Sequence, residues 1–406
     1  MTIPTLADIE SARESLKGVA IETPMEGARW LSDIAGGPVH LKCENLQRTG
    51  SFKIRGAYLR MSRLSDEERA RGVVAASAGN HAQGVALAAG LLGIKSTVFM
   101  PEGAPIPKEN ATRAYGADVR FHGHSVDEAL VAAKAFAQET GAILIHPFDH
   151  VDIVAGQGTC GLEILDQCPE VKTVLVSTGG GGLIAGIATA IKAKRPDVRI
   201  IGVQAEGAAA YVASLAAGRP VALSSMSTMA DGIAVGCPGE VPFAAVQKYV
   251  DDIVTVSEES LSRALLMLLE RAKLVVEPAG AAAVAAMLDA PDQFETPAVA
   301  VLSGGNVDPL LLMKVIRHGL AAAGRYLFFR VRIPDLPGGL AQLLNELAGV
   351  EANVLDVVHE RTSARLNLHE VEVALQVETR GTPHAELVVA RLRECGYHVS
   401  AGDQPS

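Results

Sequence analysis

From Gly72 onward, short apolar runs alternate with helical stretches, and few architectures accommodate that rhythm. Strands are predicted at 73–77, 96–100, 118–121, 143–146, 173–177, 199–203, 253–256 and 298–302. A strand, a helix of about 10–15 residues and a second strand make a right-handed βαβ unit, and repeats of that unit build parallel sheets covered by helices. An amphipathic helix over 5–17, with Leu6, Ile9 and Leu16 on one side, and the strand-like VHLKCE at 39–44 precede this region. The chain is 49% hydrophobic but only 4% aromatic, so its cores must be packed from Ala, Val, Leu and Ile. Parallel strands beneath Ala-rich helices have that composition.

Near His318–Arg325 the texture changes. HGLAAAGR is small and permissive, and is read as a linker. Beyond it the pattern is strand 326–333, helix 339–349, strand 353–361, strand 367–378, helix 383–395 and strand 397–401, a βαββαβ unit of ferredoxin-like topology. Val371, Val373, Leu375 and Val377 alternate with polar residues, as in an antiparallel sheet with one covered face. The expected division is 1–322 for the main body and 325–406 for this module.

The net charge of −10 argues against nucleic-acid and anionic-membrane partners, which need a basic face. Apolar runs are too short for a membrane span, and the N-terminal stretch has no apolar signal core. The five cysteines include no C-x-x-C pair. Neither a disulfide frame nor a zinc site is indicated, and a reduced cytoplasmic protein is expected.

Chemistry concentrates in ENLQRTGSFKIRGAY, Glu44 to Tyr58. Ser51 is read as the N-cap of a helix whose first turn holds Lys53. There the helix dipole, together with desolvation by Phe52 and Ile54, disfavours a cation and favours a neutral, nucleophilic amine. The alternative is a solvated surface lysine. Three further strand ends add functional groups. SAGNHAQG (77–84) offers small residues at a helix start, where N–H groups point at an anion, with Asn80 and His81 as side-chain donors. Thr178 precedes Gly179, Gly180, Gly181 and Gly182, which open a helix and can form a phosphate nest. Their spacing is neither a Walker loop nor G-x-G-x-x-G. Ser303, in SGGN, places a hydroxyl where open α/β sheets bind ligands. Each turn is also compatible with a plain strand-to-helix connection. An activatable lysine, a phosphate nest, a carboxylate-binding turn and a neutral hydroxyl together match the needs of pyridoxal phosphate.

SFKIRGA, SAGNHAQG, the glycine run, TMADGIAV (228–235), EPAGA (277–281) and SGGN, in this order across about residues 5–320, resemble the serine/threonine dehydratases, pyridoxal-phosphate enzymes of the tryptophan-synthase-β-like fold (fold type II). The tail, with RIPDLPGGLAQLLNEL, is similar to ACT-type regulatory domains. The resemblance implies two parallel-sheet α/β domains, the smaller (about 50–145) inserted in the larger. It implies that Lys53 carries the cofactor and acts as base and that Phe52 lies against the cofactor ring. Asn80 would bond the ring hydroxyl, Gly179–Gly182 would hold the phosphate, and Ser303 would face the pyridine nitrogen. Ser77, Ala78, Gly79 and His81 would surround the substrate carboxylate. The implied reaction is deamination of L-threonine to 2-oxobutanoate by β-elimination of water, with L-serine as a second substrate. The implied assembly is a homo-dimer or tetramer.

In the tail, Asp335, Leu336, Pro337, Gly338 and Gly339 would bind a small amino-acid effector such as a branched-chain amino acid, with Asn353 as a polar partner. One departure stands out. Relatives that hold a divalent metal use several acids after the strand ending near Val203, whereas here Glu206 is the only acid in QAEGAAA, so no divalent site is expected. Alternatives are a serine dehydratase or racemase of the same fold and, in another class, a non-catalytic amino-acid sensor.

Overall fold

The structure, a computed structural model, describes residues 2–360, 367 and 369–401. It divides between Pro309 and Leu310 into two compact units. The first contains strands β1 (Met25–Gly27), β2 (Val39–Lys42), β3 (Val73–Ala76), β4 (Ser96–Met100), β5 (Asp118–Phe121), β6 (Ile143–Leu144), β7 (Thr173–Ser177), β8 (Arg199–Ala205), β9 (Asp252–Val256) and β10 (Ala298–Val301). They form a six-stranded sheet, β1-β2-β10-β7-β8-β9, and a four-stranded sheet, β5-β4-β3-β6. All pairings are parallel except the antiparallel edge β1. The smaller sheet comes entirely from the chain between β2 and β7. β7 and β10, TVLVS and AVAV, are buried along their whole length, as strands covered on both faces require.

Of the expected strands, 96–100, 118–121 and 173–177 form with those bounds, whereas 143–146 shrinks to β6. Ser51 is not a helix cap. It is extended, Phe52 is the N-cap of helix Lys53–Ser62, and the Ser51 hydroxyl is buried without a partner. The cause lies across the sheet: Ser51 pairs with Gly304 in an isolated bridge, and the Phe52 N–H donates to the Ser303 carbonyl at 3.3 Å. The chain is thus drawn onto the end of β10 before the helix begins.

Behind Lys53 lies a buried ionic cluster. Arg55 donates through Nε and Nη2 to the two Glu44 oxygens, both at 2.7 Å, and through Nη1 to Glu163 Oε1 at 2.6 Å. Lys42 Nζ reaches Glu163 Oε2 at 2.6 Å, and the Thr23 hydroxyl donates to Glu44 at 2.6 Å. Two cations thus face two carboxylates. Burial works to raise the Glu44 carboxyl, but the charge and hydrogen bonds of Arg55 prevail and hold it below its ordinary pKa.

In the second unit, HGLAAAGR does not form an irregular linker. Helix Pro309–Ala322 continues through its first half, because Leu and Ala favour helix strongly enough to absorb Gly319. β11 (Tyr326–Pro334), β12 (Asn353–Glu360), β13 (Glu370–Glu378) and β14 (His398–Ala401) follow in the order β12-β13-β11-β14, all antiparallel. Residues 361 and 368 of the expected strands, and 402–406, lie outside the described residues. Helices Gly339–Gly349 and Thr382–Glu394 set Leu343, Leu347, Val388 and Leu392 against Phe329, Val331, Val373 and Leu375. This is the ferredoxin-like βαββαβ topology.

Candidate active site

The C-terminal ends of β3, β7 and β10 open on a cleft of about 850 Å³ in the first unit. Phe52, Lys53, Ser77, Ala78, Gly79, Asn80, His81, Gly179, Gly180, Gly181, Gly182 and Ser303, separated by up to 251 positions in the chain, all line it.

Lys53 is the first residue of its helix, and its Nζ donates to the Pro147 carbonyl at 3.0 Å and stands 5.1 Å from the centre of the Phe52 ring. Burial lowers its pKa to about 8, against the opposing pull of Glu277. Lys53 is thus half-buried in the cleft wall rather than extended into solvent on the outer surface. Because the folded-state value lies below the usual ~10.4 of a free lysine, this group adds stability as pH rises from about 8 through that range, where the unfolded chain holds the proton and the folded chain has released it. Acylation of the ligand-free protein with a small anhydride, read by peptide mass, should show Lys53 reacting with a midpoint near pH 8. A midpoint at the ordinary lysine value would contradict this description of the site.

The glycine run turns at Gly181 (φ 94°), from which helix Gly182–Lys194 starts with no side-chain cap. The first N–H groups of that helix have no intrahelical acceptor. A Cβ on Gly180 would fall 2.3 Å from the Phe148 ring, and one on Gly181 would fall 1.9 Å from the Tyr211 hydroxyl. Only glycine keeps this backbone both left-handed at Gly181 and close to its neighbours. Ser177, just before the run, carries a buried hydroxyl without a partner and lines the same cleft.

His81 departs from its expected part. Its Nε2 lies 2.8 Å from the Ile145 carbonyl, an acceptor, so the ring proton is spent there. Burial lowers its pKa to about 3, with the Lys53 charge as a further cause, so the ring is neutral with no second proton to offer a carboxylate. The Asn80 amide is oriented from both ends: its Nδ2 donates to Glu277 Oε1 at 2.5 Å, and its Oδ1 accepts from Asn306 Nδ2 at 2.7 Å. Glu277 is buried, and desolvation, aided by Asp231, raises its pKa to about 7. Neither Glu277 nor Ser177 was picked out as a site residue from the sequence. The signal for Glu277 was present as a lone acid in the apolar run LVVEPAGAAAVAA.

The tail residues do not come together. Asp335, Leu336, Pro337 and Gly338 are exposed between β11 and helix Gly339–Gly349, with Gly338 left-handed at φ 90°. Asn353 pairs with Glu378, whereas Pro334, beside Asp335, pairs with Glu370. Eight strand residues separate these positions, about 27 Å at a rise of ~3.4 Å each. Within one chain Asn353 therefore cannot share a ligand with the Asp335–Gly339 loop, because the intervening helix returns the chain to the opposite end of the sheet.

Residues 16–304 match the model of a family described as pyridoxal-phosphate dependent enzyme. An L-threonine ammonia-lyase of Thermotoga maritima is 47% identical over 395 residues, 97% of this chain and 98% of its own. A catabolic L-threonine dehydratase of Staphylococcus aureus is 47% identical over 326 residues, 79% of this chain and 94% of its own. Among solved structures, the processed form of threonine deaminase isoform 2 from Solanum lycopersicum superposes with a TM-score of 0.74 at 42% identity, covering 76% of this chain and 91% of that one. With a partly desolvated lysine, a glycine cradle and a strand-end serine on one cleft, and with a 47% identical relative matched over nearly its whole length, the chain belongs to the pyridoxal-phosphate-dependent enzymes of the serine/threonine dehydratase group.

Proposed function

We propose that this protein is a threonine ammonia-lyase, which removes water and then ammonia from L-threonine to give 2-oxobutanoate, and which also accepts L-serine. The observation that carries the reading is Lys53, a half-buried lysine with its pKa lowered to about 8, set in the same cleft as the glycine run and Ser303. The near-full-length identity to an L-threonine ammonia-lyase supports the choice of substrate.

The cleft residues fit pyridoxal phosphate. Lys53 would carry it, Gly179–Gly182 with the unpartnered Ser177 hydroxyl would hold its phosphate, and Phe52, Asn80 and Ser303 would hold its ring. When bound, the cofactor supplies an electron sink for the bonds at the substrate Cα. The protein's own part is to place groups around that carbon. Lys53, whose lowered pKa of about 8 makes its neutral amine accessible, takes the Cα proton. Glu277 and Asn306 fix the Asn80 amide, so the group meeting the ring is oriented before any ligand arrives. The N–H groups at the start of helix Asn80–Leu92 bind the substrate carboxylate. Ser303 would offer the ring nitrogen a neutral hydroxyl rather than a carboxylate, which sets how strong an electron sink the cofactor supplies.

Purified protein supplied with pyridoxal phosphate should release 2-oxobutanoate from L-threonine and pyruvate from L-serine. Release of neither product rejects the reading, and D-serine formation without pyruvate would favour a racemase. A protein that binds amino acids but turns none over would be the sensor.

The second unit is, in this reading, a regulatory module that binds an amino-acid end-product such as isoleucine at the Asp335–Gly339 loop, in a homo-oligomer. Two observations support it: the topology change after Arg325, and a relative that matches over 94% of its own length yet only 79% of this chain. A chain ending at Ala323 should still deaminate threonine but ignore isoleucine and valine. The full-length chain should respond with about 1–3 kcal/mol of coupling between effector and substrate. Identical dose responses in the two chains would remove the regulatory reading and leave the catalytic one intact.

A further inference from the structure

One ion pair on the cleft wall is unevenly buried. Lys108, on helix Ile106–Ala114, is 8% exposed, and its Nζ donates to Asp231 Oδ2 at 2.7 Å. The Asp231 side chain is 60% exposed. Lys108 follows β4 of the four-stranded sheet, whereas Asp231 opens the short turn Asp231–Ile233 that follows β8 of the six-stranded sheet, so the pair spans the cleft. A pair serving only to tie two segments gains little when one partner is so open to water. Desolvating the ammonium is costly in any case. The placement needs another reason.

The position of Lys108 supplies one. Its Nζ lies 3.9 Å from the point where a Cβ on Gly79 would stand, beside the loop that starts helix Asn80–Leu92. His81 has already committed its ring proton to Ile145. Among the described residues lining the cleft, Lys53 and Lys108 are the only lysines and there is no arginine. Lys53 is taken up by the cofactor in the reading above. A substrate carboxylate at the Gly79 loop then has one fixed cation within reach. An ammonium has three donors, so Lys108 can turn from Asp231 to a second anion without losing its charge.

We propose that Lys108 is a substrate-binding residue that pairs with the amino acid's carboxylate, and that Asp231 is its resting partner, which the substrate displaces. This inference rests on the cleft being an amino-acid site, as proposed above. Asp231 thus competes with substrate for one cation, and removing either member of the pair has opposite consequences. Loss of Lys108 weakens carboxylate binding, whereas loss of the Asp231 charge strengthens it.

The experiment uses the full-length holoenzyme and 3-hydroxybutanoate, which has the carboxylate and hydroxyl of the substrate but no amine to react with the cofactor. Its binding is followed by calorimetry, in parallel with KM and kcat for threonine. Lys108→Met should weaken 3-hydroxybutanoate about ten-fold or more, the loss expected for one charge-assisted hydrogen bond. KM for threonine should rise by more than kcat falls. Lys108→Arg should recover most of the affinity, and Asp231→Asn should tighten binding about three-fold or more. The cofactor's visible absorbance and the circular dichroism of each variant check that the fold is retained. Wild-type affinity in Lys108→Met overturns the proposal, as does weakened binding in Asp231→Asn, which would make the pair a structural clasp. The two readings fail separately: a wild-type enzyme that ignores threonine rejects the lyase, whereas a wild-type enzyme that turns it over beside an unaffected Lys108→Met rejects only this inference.

Discussion

Lys53→Ala is expected to purify as a folded protein and to turn over threonine at least about 10²–10⁴ times more slowly than wild type, the range for losing one acid–base group. The loss has two sources in one atom, because the same amine would anchor the cofactor and take the Cα proton. Folding should survive, since Lys53 makes one hydrogen bond, to the Pro147 carbonyl, and its burial works against its own charge. Alanine relieves that desolvation, and it is a better helix former than lysine at the start of Lys53–Ser62. After dialysis the variant should also lose the visible absorbance of covalently held cofactor. Turnover near the wild-type rate would remove Lys53 from the mechanism.

Two residues along the same helix the expectation reverses. Arg55→Met should cost stability, on the order of 3–5 kcal/mol, by leaving two buried carboxylates, Glu44 and Glu163, with Lys42 as their only cation. Against a typical total of about 5–15 kcal/mol, that is enough to make the protein precipitate or melt far below wild type. Arg55→Lys keeps the charge but loses the fork that holds Glu44 at two points, so it should fall between the two. Differential scanning calorimetry decides. A melting temperature within about 2 °C of wild type in Arg55→Met would mean that the cluster contributes specificity of packing rather than stability.

These two residues also mark what the sequence could disclose. The strand rhythm was legible because parallel strands covered on both faces, such as AVAV and the VLV centre of TVLVS, are short continuous apolar runs. The candidate site was legible at strand ends only as a set, because each turn alone also fits a plain strand-to-helix connection. Ser51 was misread since a bridge to Gly304, more than two hundred residues away, outweighs a local capping preference. For His81 only the reading of its side chain as a free donor fails, for a similar reason: the ring proton goes to Ile145, a contact no local pattern contains. Glu277, Lys108 and Asp231 were not read as site residues because a single acid or lysine does not reveal its partner. What gives them meaning is the burial of Glu277 and Lys108 and the pairing of Lys108 with Asp231, which only the closed fold creates. In the tail, alternation at Val371, Val373, Leu375 and Val377 marked an antiparallel strand, but register, which the pattern does not encode, separated Asn353 from the Asp335 loop.

The pairing of β2 with β10 carries a consequence for how the enzyme comes into being during synthesis. Val39 lies beside Ala298 in the six-stranded sheet, while all four strands of the smaller sheet are complete once Leu144 has emerged. On the ribosome the smaller sheet can close early from local contacts, whereas β2 must wait for almost the whole first unit before β10 can join it. Lys53 and Ser303 sit on either side of that last seam, joined through the Ser51–Gly304 bridge. The nascent chain therefore carries a half-built lobe with no assembled catalytic centre, and the reactive amine meets its hydroxyl only when the final strand slides in.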